Sequence, residues 1–168
     1  MTKQTMTDAT DSATLPLCVD EVTFRRLCRS AVSGFPHEVC GLLFGVQDGA
    51  RHVVEIAEEL PNQREKGAQK AYVINAESLL KREKYWRDRG KRLLGFWHSH
   101  PGGNPFPSAQ DASFAWSGYS YVIVAASDKS ETSVRSWRYL NERFVEESIV
   151  CTNEQAAGVN GPTHGGED

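Results

Sequence analysis

Arg92-Leu-Leu-Gly-Phe-Trp-His98-Ser99-His100-Pro101 is the stretch that decides the fold, because it joins an apolar run to two histidines one residue apart. A short apolar run bounded by charged residues and a proline predicts a buried strand. Successive side chains of a strand point to opposite faces, so His98 and His100 fall on one side and Ser99 on the other. We therefore predict a strand over 92–97 that delivers both histidines at its C-terminal end.

Three residues elsewhere in the chain complete the predicted metal site. Ser108 and Asp111 follow the histidines, and Glu38 precedes another apolar run. Imidazole nitrogens and a carboxylate are ligands that zinc takes in catalytic sites, with one position left for water. The pattern predicts one Zn²⁺ per chain held by His98, His100 and Asp111, with Glu38 as the carboxylate that handles protons.

Each half of this pattern has a simpler interpretation when it stands alone. A lone pair of histidines is common in loops and mostly has no role. Ser108 and Asp111 by themselves are typical of a helix start, with the serine at the N-cap and the acid at the third helical position. The two halves occur here in order, with seven residues between His100 and Ser108. That combination favours the zinc hydrolase over the simpler interpretations.

Length and composition restrict the class of protein. A chain of 168 residues with a formal net charge of -3 predicts a single domain and argues against a general nucleic-acid binder. Its apolar stretches are too short for a membrane span, and the N-terminus lacks the pattern of a secretory signal. The four cysteines form no C-x-x-C pair and are expected to be reduced thiols. A cytoplasmic protein is expected.

The order of predicted elements indicates an α/β (α+β) domain with a central sheet. Residues 1–14 are predicted to be a disordered arm, 15–151 the folded domain and 152–168 a flexible tail. Helices are predicted from Asp20 to Gly34, from Asn75 to Gly90 and from Ser108 to Gly118. Strands are predicted over 39–45, 51–60, 72–74, 92–97, 121–126, 133–140 and 144–150.

The residues that carry this pattern resemble the JAMM metalloproteases, the catalytically competent MPN domains. The family pattern is a Glu before an apolar strand, then His-Ser/Thr-His-Pro, then Ser and Asp. It is matched by Glu38, by His98 to Pro101, and by Ser108 and Asp111. The stretches Glu38-Val-Cys-Gly-Leu-Leu-Phe-Gly45, Leu60-Pro-Asn62 and Leu94-Gly-Phe-Trp-His98 are also similar to the family. The resemblance covers roughly residues 17–150 and is to the compact prokaryotic type.

What the resemblance implies is a curved mixed β-sheet flanked by helices, similar to the cytidine deaminases, with zinc at its edge. It implies that His98, His100 and Asp111 hold the zinc, that Glu38 hydrogen-bonds the water in the fourth place, and that Ser108 supports the oxyanion. Members that act on proteins mostly cut after the C-terminal glycine of a ubiquitin-like protein. The implied partner is therefore a ubiquitin-like or sulfur-carrier protein with a C-terminal Gly-Gly tail.

Several functions stay open within and outside this resemblance. The reaction can serve precursor processing, deconjugation in a bacterial ubiquitination-like antiphage system, or a sulfur-carrier peptidase in cysteine or cofactor biosynthesis. A metal-free MPN scaffold usually loses ligands that this chain keeps. RadC-type proteins carry an Asn where this chain has Ser99, and zinc deaminases need a P-C-x-x-C pattern. Ser99 is expected to hold the loop by a hydrogen bond, and His37 and Cys40 are expected to be ordinary loop and core residues.

Overall fold

One mixed β-sheet of eight strands forms the centre of the molecule. The computed structural model describes residues 15–49, 51–64, 72–129 and 131–152. The sheet order is β7-β6-β5-β4-β2-β3-β1-β8, with parallel pairing of β4 with β5 and of β1 with both β3 and β8. The strands are β1 (Leu17–Asp20), β2 (Cys40–Asp48), β3 (Arg51–Leu60), β4 (Arg92–Pro101), β5 (Ser120–Ala126), β6 (Thr132–Leu140), β7 (Arg143–Glu147) and β8 (Ile149–Thr152).

Helices cover both faces of this sheet: α1 (Glu21–Gly34) and α2 (Ala76–Arg87), with the short α3 (Ala109–Phe114) after β4. Asp20 starts α1 by accepting a hydrogen bond from the Thr23 amide, and Asn75 starts α2 in the same way. The two faces have separate cores. The core beneath α1 includes Leu27, Ala31, Trp97 and Val122, and the core beneath α2 includes Leu79, Phe96, Tyr121 and Ile123.

The predicted α/β (α+β) class, with a curved mixed sheet flanked by helices in a single domain, is confirmed. β4 lies at the middle of the sheet with buried side chains on both faces, which is why its sequence from 93 to 97 is almost entirely apolar. None of the described helices is long and apolar enough to cross a bilayer. All four cysteines are free thiols.

Several predicted elements differ from the structure. Residues 72–74 form no strand, and the helix predicted over 108–118 ends at Phe114. The strand predicted over 144–150 is two strands, β7 and β8, because the chain leaves one edge of the sheet and joins the other. The arm over 1–14 and the tail beyond Thr152 lie outside the described residues.

Arg138 on β6 and Glu147 on β7 form a buried ion pair. Arg138 donates from Nε and Nη2 to Oε2 of Glu147 at 3.0 and 2.9 Å, and Ser136 donates to Oε1 at 2.7 Å. Arg138 Nη2 also lies 2.7 Å from His52 Nδ1, so this histidine has a structural contact that its sequence position did not indicate. The pair therefore joins β6 and β7 to the start of β3.

Replacing Glu147 with glutamine is expected to lower the free energy of unfolding by about 3–5 kcal/mol, because Arg138 would keep a buried charge without its counterion. Glu146→Gln is the matched control, since the Glu146 pair with Arg135 is about half exposed and such pairs contribute roughly 0–1 kcal/mol. Urea unfolding of both variants measures the difference. Equal, small losses in the two variants would contradict the assignment of Glu147 as an essential buried partner.

Candidate metal centre

β4 brings the two histidines together because it continues through them to Pro101, four residues further than predicted. His98 is fully buried and His100 is half-buried, and their Nε2 atoms lie 2.9 Å apart. Ser99 points to the opposite face, as the alternation of strand side chains predicts. There it accepts a hydrogen bond from the Val39 amide at 3.0 Å, which confirms its expected role in holding that loop.

Asp111 reaches the histidines from the first turn of α3. Its Oδ1 lies 3.1 Å from His98 Nε2, and its Oδ2 lies 3.6 Å from His100 Nε2. Ser108 is the N-cap of α3: its Oγ accepts from the Asp111 amide at 3.1 Å and donates to Asp111 Oδ2 at 2.6 Å. The helix-start interpretation of Ser108 and Asp111 is thus correct, and it is also the device that aims the carboxylate at the histidines.

The donor atoms of His98, His100 and Asp111 suit a zinc ion. One ligand atom from each lies within 4.8 Å of the others. His100 Nδ1 lies 2.8 Å from the Asn104 carbonyl oxygen, which can only accept, so Nδ1 carries the proton and Nε2 presents a lone pair. A lone pair facing a second imidazole and a carboxylate at these distances needs a cation or proton between them. This is the ligand set of a catalytic zinc.

The ring of Tyr72 packs against the ring of His98. The two rings stack at a centroid distance of 4.6 Å. His98 Nδ1 is buried and has no hydrogen-bond partner among the residues that the structure describes, in contrast to His100. Stacking on Tyr72 and the contact of Nε2 with Asp111 therefore orient the His98 ring, which has no counterpart of the carbonyl contact that holds His100.

Charges at this centre follow from burial and from the short contacts. Burial works to raise the pKa of Asp111, but the close contacts with His100, His98 and Ser108 outweigh it and hold that pKa well below its usual range. Burial lowers the pKa of His98. Burial also acts to lower the pKa of His100, but the contacts with Asp111 and the Asn104 carbonyl leave it raised. The carboxylate is therefore charged, as a metal ligand must be.

Glu38 lies in the loop between α1 and β2 and is buried, with 6% of its surface exposed. Burial raises its pKa to about 7; the nearby charge of His100 works against this rise, and that of Asp111 adds to it. A buried carboxyl with a pKa near neutrality is suited to taking up and releasing a proton. The loop is fixed because Val39 both donates to Ser99 Oγ and accepts from the Ser99 amide.

An apolar cavity of about 220 Å³ adjoins the centre and shares Ser108 and Asp111 as part of its wall. Two aromatic side chains, Phe114 and Trp116, stand at its wall with 71% and 52% of their surfaces exposed. Its remaining lining is mostly apolar and includes Tyr72, Ile74, Leu79, Phe96 and Tyr121. The cavity thus offers an apolar surface immediately beside the candidate metal ligands.

The structure groups His98, His100 and Asp111 with Ser108 beside them, and it brings Glu38 close because the adjacent Val39 is hydrogen-bonded to Ser99 between the two histidines. The expected ordinary residues are also in place: His37 is exposed, and Cys40 is buried with a thiol whose pKa burial raises to about 12. Neither Tyr72 nor Asn104 was predicted to be part of the site. No sequence signal identifies Asn104, because its backbone carbonyl makes the contact.

Residues 20–140 match the family described as prokaryotic homologs of the JAB domain. The desampylase of Haloferax volcanii is 36% identical over 95 residues, which are 54% of this chain and 63% of that protein. The aligned region therefore spans less than two thirds of that relative.

Solved structures agree with the family match. A protein from Desulfitobacterium hafniense has a TM-score of 0.72 at 27% identity, covering 82% of this chain and 94% of that one. A JAB1/MPN domain protein from Archaeoglobus fulgidus has a TM-score of 0.51 at 23% identity, covering 83% and 99%, and shows the fold alone. Because the family match extends over most of the residues, this chain belongs to the prokaryotic JAB-domain family.

Proposed function

We propose that this protein is a JAMM-type zinc metallopeptidase that hydrolyses the peptide or isopeptide bond after the C-terminal glycine of a ubiquitin-like protein. The observation that carries the proposal is the convergence of His98, His100 and Asp111 beside the buried carboxyl of Glu38. The similarity to a desampylase supports the substrate class.

Hydrolysis of an amide needs a nucleophile at neutral pH and a proton for the departing amine. When bound by His98, His100 and Asp111, zinc supplies Lewis-acid polarisation of the carbonyl and lowers the pKa of a coordinated water to about 7. The Glu38 carboxylate accepts the proton of the attacking water and passes it to the amine nitrogen. Burial of Glu38 keeps bulk water from competing for that proton.

Ser108 is proposed to turn its single hydroxyl proton from Asp111 Oδ2 towards the carbonyl oxygen of the substrate as negative charge develops on that oxygen. At saturating zinc, Ser108→Ala is expected to lower kcat by about 10²–10³, the usual effect of losing one such donor. Ser113→Ala is the matched control, since the Ser113 hydroxyl donates to the Gln110 carbonyl on the same helix. A Ser108→Ala enzyme with normal kcat would limit this serine to its observed contacts with Asp111.

The cavity beside Asp111 and Ser108 supports an extended substrate tail. The residues of an extended tail are spaced about 3.3 Å apart, so those next to a scissile bond at the metal centre lie close to the cavity, which shares Ser108 and Asp111 with that centre. The two glycines that precede the scissile bond carry no Cβ atoms, so they bring no side chain against the buried Glu38 and His98. An extended Gly-Gly segment is thus the tail that fits best.

The biological setting is proposed only as alternatives that share this chemistry. Deconjugation in an antiphage system, precursor processing and a sulfur-carrier peptidase differ in the group that leaves, not in the residues that act. We propose a cytoplasmic setting, which agrees with the cysteine pattern. Assays with carrier precursors and with lysine-linked conjugates, run in parallel, distinguish these alternatives by which substrate is cut faster.

One cleavage assay tests the proposal. The purified protein is incubated with a ubiquitin-like protein extended beyond its C-terminal Gly-Gly, with and without a chelator, and the products are weighed by mass spectrometry. Cutting after the second glycine that stops with the chelator and returns with zinc is expected. Cutting elsewhere, cutting that the chelator leaves unchanged, or a protein that binds no zinc would overturn the proposal; the last result would favour a metal-free scaffold.

A further inference from the structure

Asn62 lies at the junction between the Glu38 loop and the segment that carries Tyr72. It follows the end of β3, and its side chain makes contacts in two directions. The side-chain Nδ2 donates to the Glu38 carbonyl oxygen at 3.0 Å. The side-chain Oδ1 accepts from the Arg64 amide and from the Val73 amide, each at 3.1 Å. One amide group therefore serves three backbone partners from three parts of the chain.

The orientation of this amide is fixed by its partners. Two of them are N–H groups and need an acceptor, while the third is a carbonyl and needs a donor. Only the orientation with Oδ1 towards Val73 and Nδ2 towards Glu38 satisfies all three. Asp has no donor for the Glu38 carbonyl, and Ala has neither donor nor acceptor, so the position uses a property specific to Asn.

The Glu38 loop is thereby held from two sides. Ser99, between the two histidines, binds the backbone of Val39 through its hydroxyl and its amide. Asn62 binds the carbonyl of the adjacent residue, Glu38 itself. Two anchors on consecutive residues restrict the backbone dihedral angles that aim the Glu38 side chain, whereas one anchor would leave a pivot.

We propose that Asn62 is a positioning residue that holds the Glu38 carboxylate in its reactive position and links it to the segment stacked on His98. The inference rests on the proposed function, in which Glu38 moves the proton. Val73 is bound to Asn62 and adjoins Tyr72, whose ring stacks on His98. Asn62 thus connects the proton-transferring group with the support of a candidate metal ligand, without itself reaching the reacting atoms.

Asn62→Ala is expected to lower kcat by about tenfold to a hundredfold, since small displacements of a reacting group have effects of this size. Zinc content is expected to stay at the wild-type level, because none of the three ligands is bonded to Asn62 in the contacts described. In a Glu38→Gln background the same substitution is expected to change the residual rate less than twofold. An equal fall in both backgrounds would overturn the inference, as would an unchanged kcat in the single variant.

Asn75→Ala is the matched control. Like Asn62, Asn75 joins the segment after β3 to the segment before α2, because its Nδ2 donates to Gln63 Oε1 at 3.2 Å. Its side chain also caps α2. Its loss is expected to lower stability by about 1 kcal/mol with kcat unchanged. Asn62→Asp keeps the acceptor for Val73 and removes the donor to Glu38, so it serves if the alanine variant folds poorly. A wild-type kcat in this Asp variant would also overturn the inference.

Hydrogen–deuterium exchange gives a readout that does not depend on activity. In Asn62→Ala, the amides of residues 37–40 are expected to exchange about tenfold faster, because opening of this loop no longer has to break the hydrogen bond between Asn62 and Glu38. In Asn75→Ala their exchange is expected to match the wild type. Unchanged exchange in Asn62→Ala would overturn the inference even if the wild-type protein cut no substrate, so failure of the inference and failure of the proposed function are distinguishable.

Discussion

Glu38→Gln is expected to reduce kcat by about 10²–10⁴, the range that general-base catalysis contributes, while the protein keeps its full zinc content. Glutamine has the shape of glutamate but cannot accept a proton near neutral pH. Zinc is expected to stay bound because Glu38 is not among the three residues whose ligand atoms converge. Single-turnover kinetics on a Gly-Gly-extended substrate, with metal analysis of the same samples, measure both quantities.

The control for this prediction is Glu59→Gln. Glu59 is exposed at the end of β3, and its charge contributes to the raised pKa of Cys40, so it lies near the site without entering it. Its substitution is expected to leave kcat unchanged. Loss of zinc in Glu38→Gln would instead place Glu38 among the ligands, and an unchanged rate would remove it from the proton transfer.

His100→Ala is expected to abolish both zinc binding and cleavage. His100 presents the lone pair of Nε2 to the centre because its Nδ1 proton is held by the Asn104 carbonyl. Its loss leaves two protein ligands, and the affinity for zinc is expected to fall by more than the roughly 10–100-fold that loss of an outer-shell partner costs. Isothermal titration with zinc and the cleavage assay together check the two effects.

His37→Ala is the control for the second prediction, since His37 is an exposed histidine immediately before Glu38. It is expected to keep zinc affinity and rate. Asp111→Ala is expected to behave like His100→Ala, because the Asp111 carboxylate contacts both histidines. Full zinc loading of the His100 variant would show that the metal sits elsewhere and would contradict the ligand assignment.

The sequence alone was sufficient for the parts of the fold that depend on local chemistry. Asp20 and Asn75 have short polar side chains that cap helices, and the predicted starts of α1 and α2 are confirmed. The alternation along β4 placed His98 and His100 on one face and Ser99 on the other. Such features depend on neighbours within a few residues, so a linear pattern contains them.

What only the tertiary structure decided depends on segments far apart in the chain. β1 and β8 are four residues each and exist as strands because they pair in parallel with each other across the sequence. The ring of Tyr72 on His98, the carbonyl of Asn104 on His100 and the amide of Asn62 on Glu38 are likewise contacts that no spacing predicts. The order of residues indicates which groups can do the chemistry. The groups that hold them in place come from segments distant in sequence, so only the folded chain shows which of them meet.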